Sequence, residues 1–113
     1  MHELSIATNI VEIAEVNVKK NNGKSVSEIE IEIGNLSGVV QEALDFAMDV
    51  AFENTVLENA KIKIIKIQAK AKCKNCLHEF EVQDFFSPCP KCNSFNPEIL
   101  QGKELKVKSL VID

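Results

Sequence analysis

Four cysteines constrain this chain more than any other feature: Cys73-Lys-Asn-Cys76, twelve intervening residues, then Cys89-Pro-Lys-Cys92. Each Cys-x-x-Cys turn presents two thiolates on one side, and twelve residues suffice for a hairpin that folds one pair onto the other around a tetrahedral ion. Four thiolates leave no coordination position open, so the ion is structural and not catalytic. Zinc is the expected metal, although a rubredoxin-like iron site has the same S4 geometry and spacing alone does not separate the two. Metal binding contributes directly to folding free energy, which a segment of about thirty residues with little core otherwise lacks. Phe80, Phe85, Phe86 and Phe95 are expected to pack around it.

Two disulfides would need an oxidising compartment. The opening stretch MHELSIATNIVEIAEVNVKK is acidic and amphipathic, without the basic flank, unbroken apolar run and small-residue cleavage site of a secretory signal, so a cytoplasmic location is expected. Apolar residues make up 45% of the chain, yet no run of them is long enough to span a bilayer, and no membrane role is expected. The net charge is −4 and all 13 cationic residues are lysine, so there is no guanidinium for bidentate contacts to phosphate or guanine. Nucleic acid is therefore a poor partner.

Two periodicities organise the rest. Leu4, Ala7, Val11, Ala14 and Val18 recur at helical spacing, and Lys19 to Gly23 supply the stop. Ser27 to Gly34 alternates Ile29, Ile31 and Ile33 with Glu28, Glu30 and Glu32, the pattern of a strand with one face buried. A second helix is expected from about Val39 to Asn54, with Val40, Ala43, Leu44, Ala47, Val50 and Ala51 on its buried side. Lys61 to Lys72 reads as a strand whose phase slips near Ile64 and Ile65, which a bulge would reconcile. Glu104 to Ile112 alternates again as a third strand. Glutamates of the first strand are expected to face Lys66, Lys70 and Lys72 of the second and Lys106 and Lys108 of the third.

The fold class is thus α+β: two helices packed on one face of a three-stranded mixed sheet, with an inserted zinc-ribbon-like zinc domain. The expected division is an α/β domain of residues 1–72 plus 103–113, which also carries the amino terminus, and an inserted zinc-binding domain of residues 73–102.

Met1-His2-Glu3 is a second candidate site. A free α-amine, the His2 imidazole and deprotonatable backbone amides lie close enough to chelate one ion through nitrogen, an arrangement that suits Ni(II) or Cu(II). His2 is too bulky for the usual removal of Met1, which keeps it in second position. Read from position alone, His2 is an exposed terminal residue, and Glu3 a carboxylate favoured by the first helical turn. His78 is taken as an ordinary hairpin histidine with no metal role.

His2, the IGNLSG segment (Ile33 to Gly38), the paired cysteines and the closing QGKEL (Gln101 to Leu105) together resemble the HypA/HybF family of hydrogenase maturation proteins over essentially the whole chain. The resemblance implies a nickel metallochaperone and not an enzyme. It places nickel on His2, with the Met1 amine and the Glu3 region completing the site, and zinc on Cys73, Cys76, Cys89 and Cys92. As partners it implies the GTPase HypB, the nickel–iron hydrogenase large subunit and, in some bacteria, urease maturation proteins; a homodimer is compatible with it. One departure stands out, because this chain has Leu77 and Asn93 where such knuckles often place glycine for a positive φ. The competing readings are a zinc-ribbon module that binds protein or nucleic acid, and a redox protein using iron or Cys-x-x-Cys chemistry.

Overall fold

The structure, a computed structural model, describes residues 2–113. Its elements are α1 (Glu3–Lys20), β1 (Val26–Gly34), α2 (Gln41–Ala51), β2 (Lys61–Ile67), β3 (Lys70–Cys73), β4 (Glu79–Glu81), β5 (Pro97–Gln101) and β6 (Leu105–Ile112). As expected from the sequence, two helices cover one face of a three-stranded mixed sheet, in the order β2-β1-β6. A separate antiparallel sheet, in the order β4-β3-β5, carries the cysteines.

The chain divides into two compact units, one of Met1–Ile31, Val39–Ile65 and Lys106–Asp113, the other of Glu32–Gly38 and Lys66–Leu105. In the first, α1 buries Ala7, Ile10, Ala14 and Val18, and the alternating strand β1 buries Ile29 and Ile31. The helix ends in a Schellman motif: the Gly23 N–H donates to the Val18 carbonyl at 2.8 Å and the Asn22 N–H to that of Lys19 at 3.2 Å. Asn22, at φ 54°, supplies the left-handed residue.

Helix α2 departs from its expected orientation. Leu44, Ala47, Met48 and, just past its end, Phe52 are buried, whereas Val40, Phe46 and Val50 are exposed, Phe46 at 71%. The apolar stripe is wider than the surface α1 covers, and the i, i+4, i+8 row of Leu44, Met48 and Phe52 takes the core.

Residues 61–72 divide between two sheets, and the phase slip itself falls inside β2, where Ile64 and Ile65 are both half-buried. Strand β2 stops at Ile67, Gln68 and Ala69 intervene, and β3 enters the second sheet at Lys70. Lys70 and Lys72 accordingly pair in register with Glu81 and Glu79 of β4, and not with glutamates of β1.

The second unit has a small core of Ala69, Ala71 and Val82, against which Leu36, Phe80 and Ile99 pack. Of the phenylalanines expected there, only Phe80 contributes; Phe86 and Phe95 are 83% and 74% exposed, and Phe85 is also exposed. Residues of the IGNLSG segment fasten this unit. Asn35 Oδ1 accepts from the Ala69 N–H at 2.8 Å, its Nδ2 donates to the Val82 carbonyl at 3.2 Å, and the Leu36 N–H donates to the Gly102 carbonyl at 2.7 Å. Gly34 lies so close to Gly102 that a Cβ there would collide with the Gly102 backbone.

Candidate metal centres

The cysteine centre is built from two equivalent turns. In the first, the Cys73 carbonyl accepts the Leu77 N–H at 2.8 Å and the Cys73 N–H donates to the His78 carbonyl at 2.9 Å. In the second, the Cys89 carbonyl accepts the Asn93 N–H at 2.8 Å and the Cys89 N–H donates to the Ser94 carbonyl at 2.9 Å. Each turn closes on a left-handed residue, Leu77 at φ 65° and Asn93 at φ 59°. Leu77 takes this conformation despite its Cβ, so the first turn keeps the geometry of the second. The turns are joined by Asn75 Nδ2 donating to Ser94 Oγ at 2.7 Å and the Lys74 N–H donating to the Asn96 carbonyl at 3.1 Å.

These bonds bring all four sulfurs within 4.8 Å of one another. Cys73 and Cys92 sulfurs are 3.5 Å apart and Cys76 and Cys89 sulfurs 3.6 Å, far too long for disulfides. A tetrahedral ion with bonds of about 2.3 Å separates its thiolates by about 3.8 Å, so donor type, number and spacing all fit zinc. Cys73 and Cys89 are buried, Cys76 and Cys92 exposed.

Backbone amides prepare the centre for an ion. The Cys76 N–H, outweighing burial, brings the Cys73 thiol down to about 6. Burial opposes ionisation of Cys89, but the N–H groups of Cys92 and Lys91 prevail and lower it. At Cys92 the Ser94 N–H favours the thiolate, yet the neighbouring Cys73 sulfur and burial win and push it up to about 12. One buried sulfur in each turn thus favours the thiolate before metal arrives, while the crowding that raises Cys92 is what a dication relieves. His78 stacks on Phe80 with ring centroids 6.2 Å apart.

At the other candidate site, the Met1 amine lies outside the described residues. His2 is the N-cap of α1; its carbonyl accepts the Ile6 N–H at 3.2 Å, its side chain makes no capping bond, and it is exposed. The first N–H groups of a helix have no acceptor within it, so the Glu3 amide is free of the helical ladder. The Glu3 side chain is not idle: Oε2 accepts the Val40 N–H at 3.3 Å. That bond, together with the residue's own N–H, holds the Glu3 carboxyl below its ordinary value. Beside it, His2, Glu3, Leu4, Ala43, Phe46 and Val50 line an open, largely apolar groove. Sequence reasoning missed the Val40 contact, because periodicity within α1 and α2 says nothing of which residue of one meets the other.

The family model described as hydrogenase/urease nickel incorporation, metallochaperone, hypA matches residues 1–112. The chain belongs to the HypA family. Relatives named hydrogenase maturation factor HypA include that of Francisella philomiragia, 46% identical over 113 residues with all of both chains covered. That of Parabacteroides distasonis is 46% identical over 112 residues, covering 99% of this chain and 97% of its own. The solution structure of the Ni metallochaperone HypA from Helicobacter pylori superposes with a TM-score of 0.70 at 28% identity, covering 99% of this chain and 97% of that one. As a HypA-family metallochaperone, the chain serves nickel incorporation and is not an enzyme. Membership over nearly its full length sets aside an isolated zinc-ribbon module, and the four-cysteine cluster has the make-up of a structural zinc centre. Among the described residues, no helix is long and apolar enough to cross a membrane.

Proposed function

We propose that this HypA-family chain binds Ni(II) at its amino terminus, through the Met1 amine, the His2 imidazole and backbone nitrogen as far as Glu3, and hands it on for maturation of nickel–iron hydrogenase. Cys73, Cys76, Cys89 and Cys92 hold one zinc that stays behind. The observation that carries this reading is the contrast between the two donor sets. His2 sits exposed at a helix start and its side chain makes no capping bond, while the four sulfurs converge, two of them buried. Terminal nitrogen donors detach one at a time and pass an ion by ligand exchange; four converging thiolates do not.

On this reading the receiving side is the GTPase HypB and the hydrogenase large subunit in the cytoplasm, with urease maturation proteins as a second destination, a choice supported by membership of a family that serves hydrogenase maturation. The exposed Leu4, Phe46 and Val50 give such a protein an apolar footing beside His2. A chelator competition tests the asymmetry. Nickel-loaded, zinc-replete protein should give up nickel to a chromophoric chelator while zinc stays bound; release of both ions together would contradict the division of labour.

A further inference from the structure

We propose that Glu3 is a positioning residue: its carboxylate, bound to the Val40 N–H, ties the first turn of α1 to the start of α2 and holds His2 where nickel is chelated. This rests on the reading that nickel binds at His2.

Both ends of the contact need it. Val40 is the N-cap of α2, and its side chain has no oxygen with which to cap the helix. The N–H of an N-cap residue has no acceptor inside its own helix, and an anion is favoured at that end. Glu3 Oε2, at 3.3 Å, meets both needs from another helix. On the other side, the His2 carbonyl accepts the Ile6 N–H at 3.2 Å, and its side chain makes no capping bond. Terminal turns fray unless something ties them down, and the residue next to His2 makes the tie. Leu4, two residues along, lines the same groove as Ala43, Phe46 and Val50 of α2, so the contact sits where the two helices already meet.

The consequence for nickel is one of population. Apparent affinity is the intrinsic affinity multiplied by the fraction of molecules in the binding-competent arrangement. Freeing the first turn lowers that fraction without altering the donor atoms. A carboxylate acting as a nickel ligand would behave differently, since its loss changes the donor set and its release from Val40 does no harm.

Four variants separate these roles: Glu3→Gln, Glu3→Ala, Val40→Pro, which removes the N–H, and the Glu3→Ala/Val40→Pro pair. Gln keeps an acceptor oxygen at the same reach and should rescue. Glu3→Ala and Val40→Pro should each weaken nickel binding by roughly three- to tenfold, and the pair no more than either alone. The nickel absorption spectrum should be the same throughout, with zinc content unchanged. Hydrogen exchange at the Val40 amide in nickel-free protein reads the tie directly and should quicken in Glu3→Ala but not in Glu3→Gln. Loss of affinity in Glu3→Gln as large as in Glu3→Ala, with Val40→Pro at the wild-type level, overturns the proposal and makes the carboxylate a ligand. Unchanged Val40 exchange in Glu3→Ala overturns it whatever nickel does, and this arm stands even if Val40→Pro misfolds. Should His2→Ala keep full nickel affinity, the terminal nickel site itself fails, a result distinct from either.

Discussion

Leu77 donates its N–H to the Cys73 carbonyl at 2.8 Å from a left-handed backbone, φ 65°, that a residue with a Cβ adopts only at a cost. The bond closes the turn that presents Cys73 and Cys76, so local strain is retained where the metal geometry demands it.

Replacing Leu77 with Gly should therefore stabilise the zinc-loaded unit. Relief of the left-handed conformation is worth about 1–2 kcal/mol and the added freedom of the unfolded chain offsets about half, leaving a gain of about 0.5–1 kcal/mol. Little packing is lost, since Leu77 is 64% exposed. Chemical unfolding of zinc-loaded Leu77→Gly against wild type checks the sign; a loss of stability would mean that the leucine side chain matters more than its backbone.

Zinc removal should melt the β4-β3-β5 sheet. Its fully buried apolar side chains are Ala69, Ala71 and Val82, which bury too little surface to offset the entropy of ordering the hairpins. After chelation, hydrogen exchange should become fast at Ala71 and Val82 and stay slow at Ile29 and Ile31, which are fully buried in the other unit. Persistent protection at Ala71 would show that the sheet stands without its metal.

Acidification should weaken the folded cysteine centre, whose thiolates hold fewer protons than the thiols of the unfolded chain. Cys73, lowered from 9.0 to about 6, contributes stability that is fully present above 9.0 and lost as pH falls through about 6. Cys89, also lowered, changes in the same direction. The raised Cys92 contributes below 9.0 and loses its contribution only as pH rises toward about 12, so it does not oppose the trend between 9 and 6. Urea unfolding of zinc-loaded protein at pH 8.5 and pH 6 should give a lower midpoint at pH 6; an equal or higher one would contradict the thiolate assignment.

Leu44 and Phe46 are near neighbours on α2 with opposite fates, one fully buried and the other 71% exposed. Leu44→Ala should cost about 2–5 kcal/mol, whereas Phe46→Ala should stay within about 0.5 kcal/mol. Thermal unfolding of the two variants measures the difference. A large loss for Phe46→Ala would place that ring in the core.

Much of this was legible in the sequence because short-range patterns carry it. Alternation in Glu28 to Ile33 gave β1, helical spacing from Leu4 to Val18 gave α1, and the two Cys-x-x-Cys pairs marked the residues whose sulfurs converge. The misreadings all concern partners distant in sequence. Residues 61–72 read as one strand, and their periodicity did not show that the chain leaves for another sheet between Ile67 and Lys70. The apolar stripe of α2 did not say how much of it α1 would cover, and four phenylalanines near the cysteines did not reveal that Phe86 and Phe95 stay in solvent. Asn35 read as part of a junction, yet its side chain bonds Ala69 and Val82, 34 and 47 residues away.

The central claim is nickel at the terminus and zinc at the cysteines, and it is tested most directly by titrating nickel into untagged, mass-verified wild type and His2→Ala. With about one zinc per chain in both proteins, wild type should bind nickel at a site that His2→Ala lacks. Equal nickel binding by both, or loss of zinc along with nickel in His2→Ala, would contradict two independent metal sites.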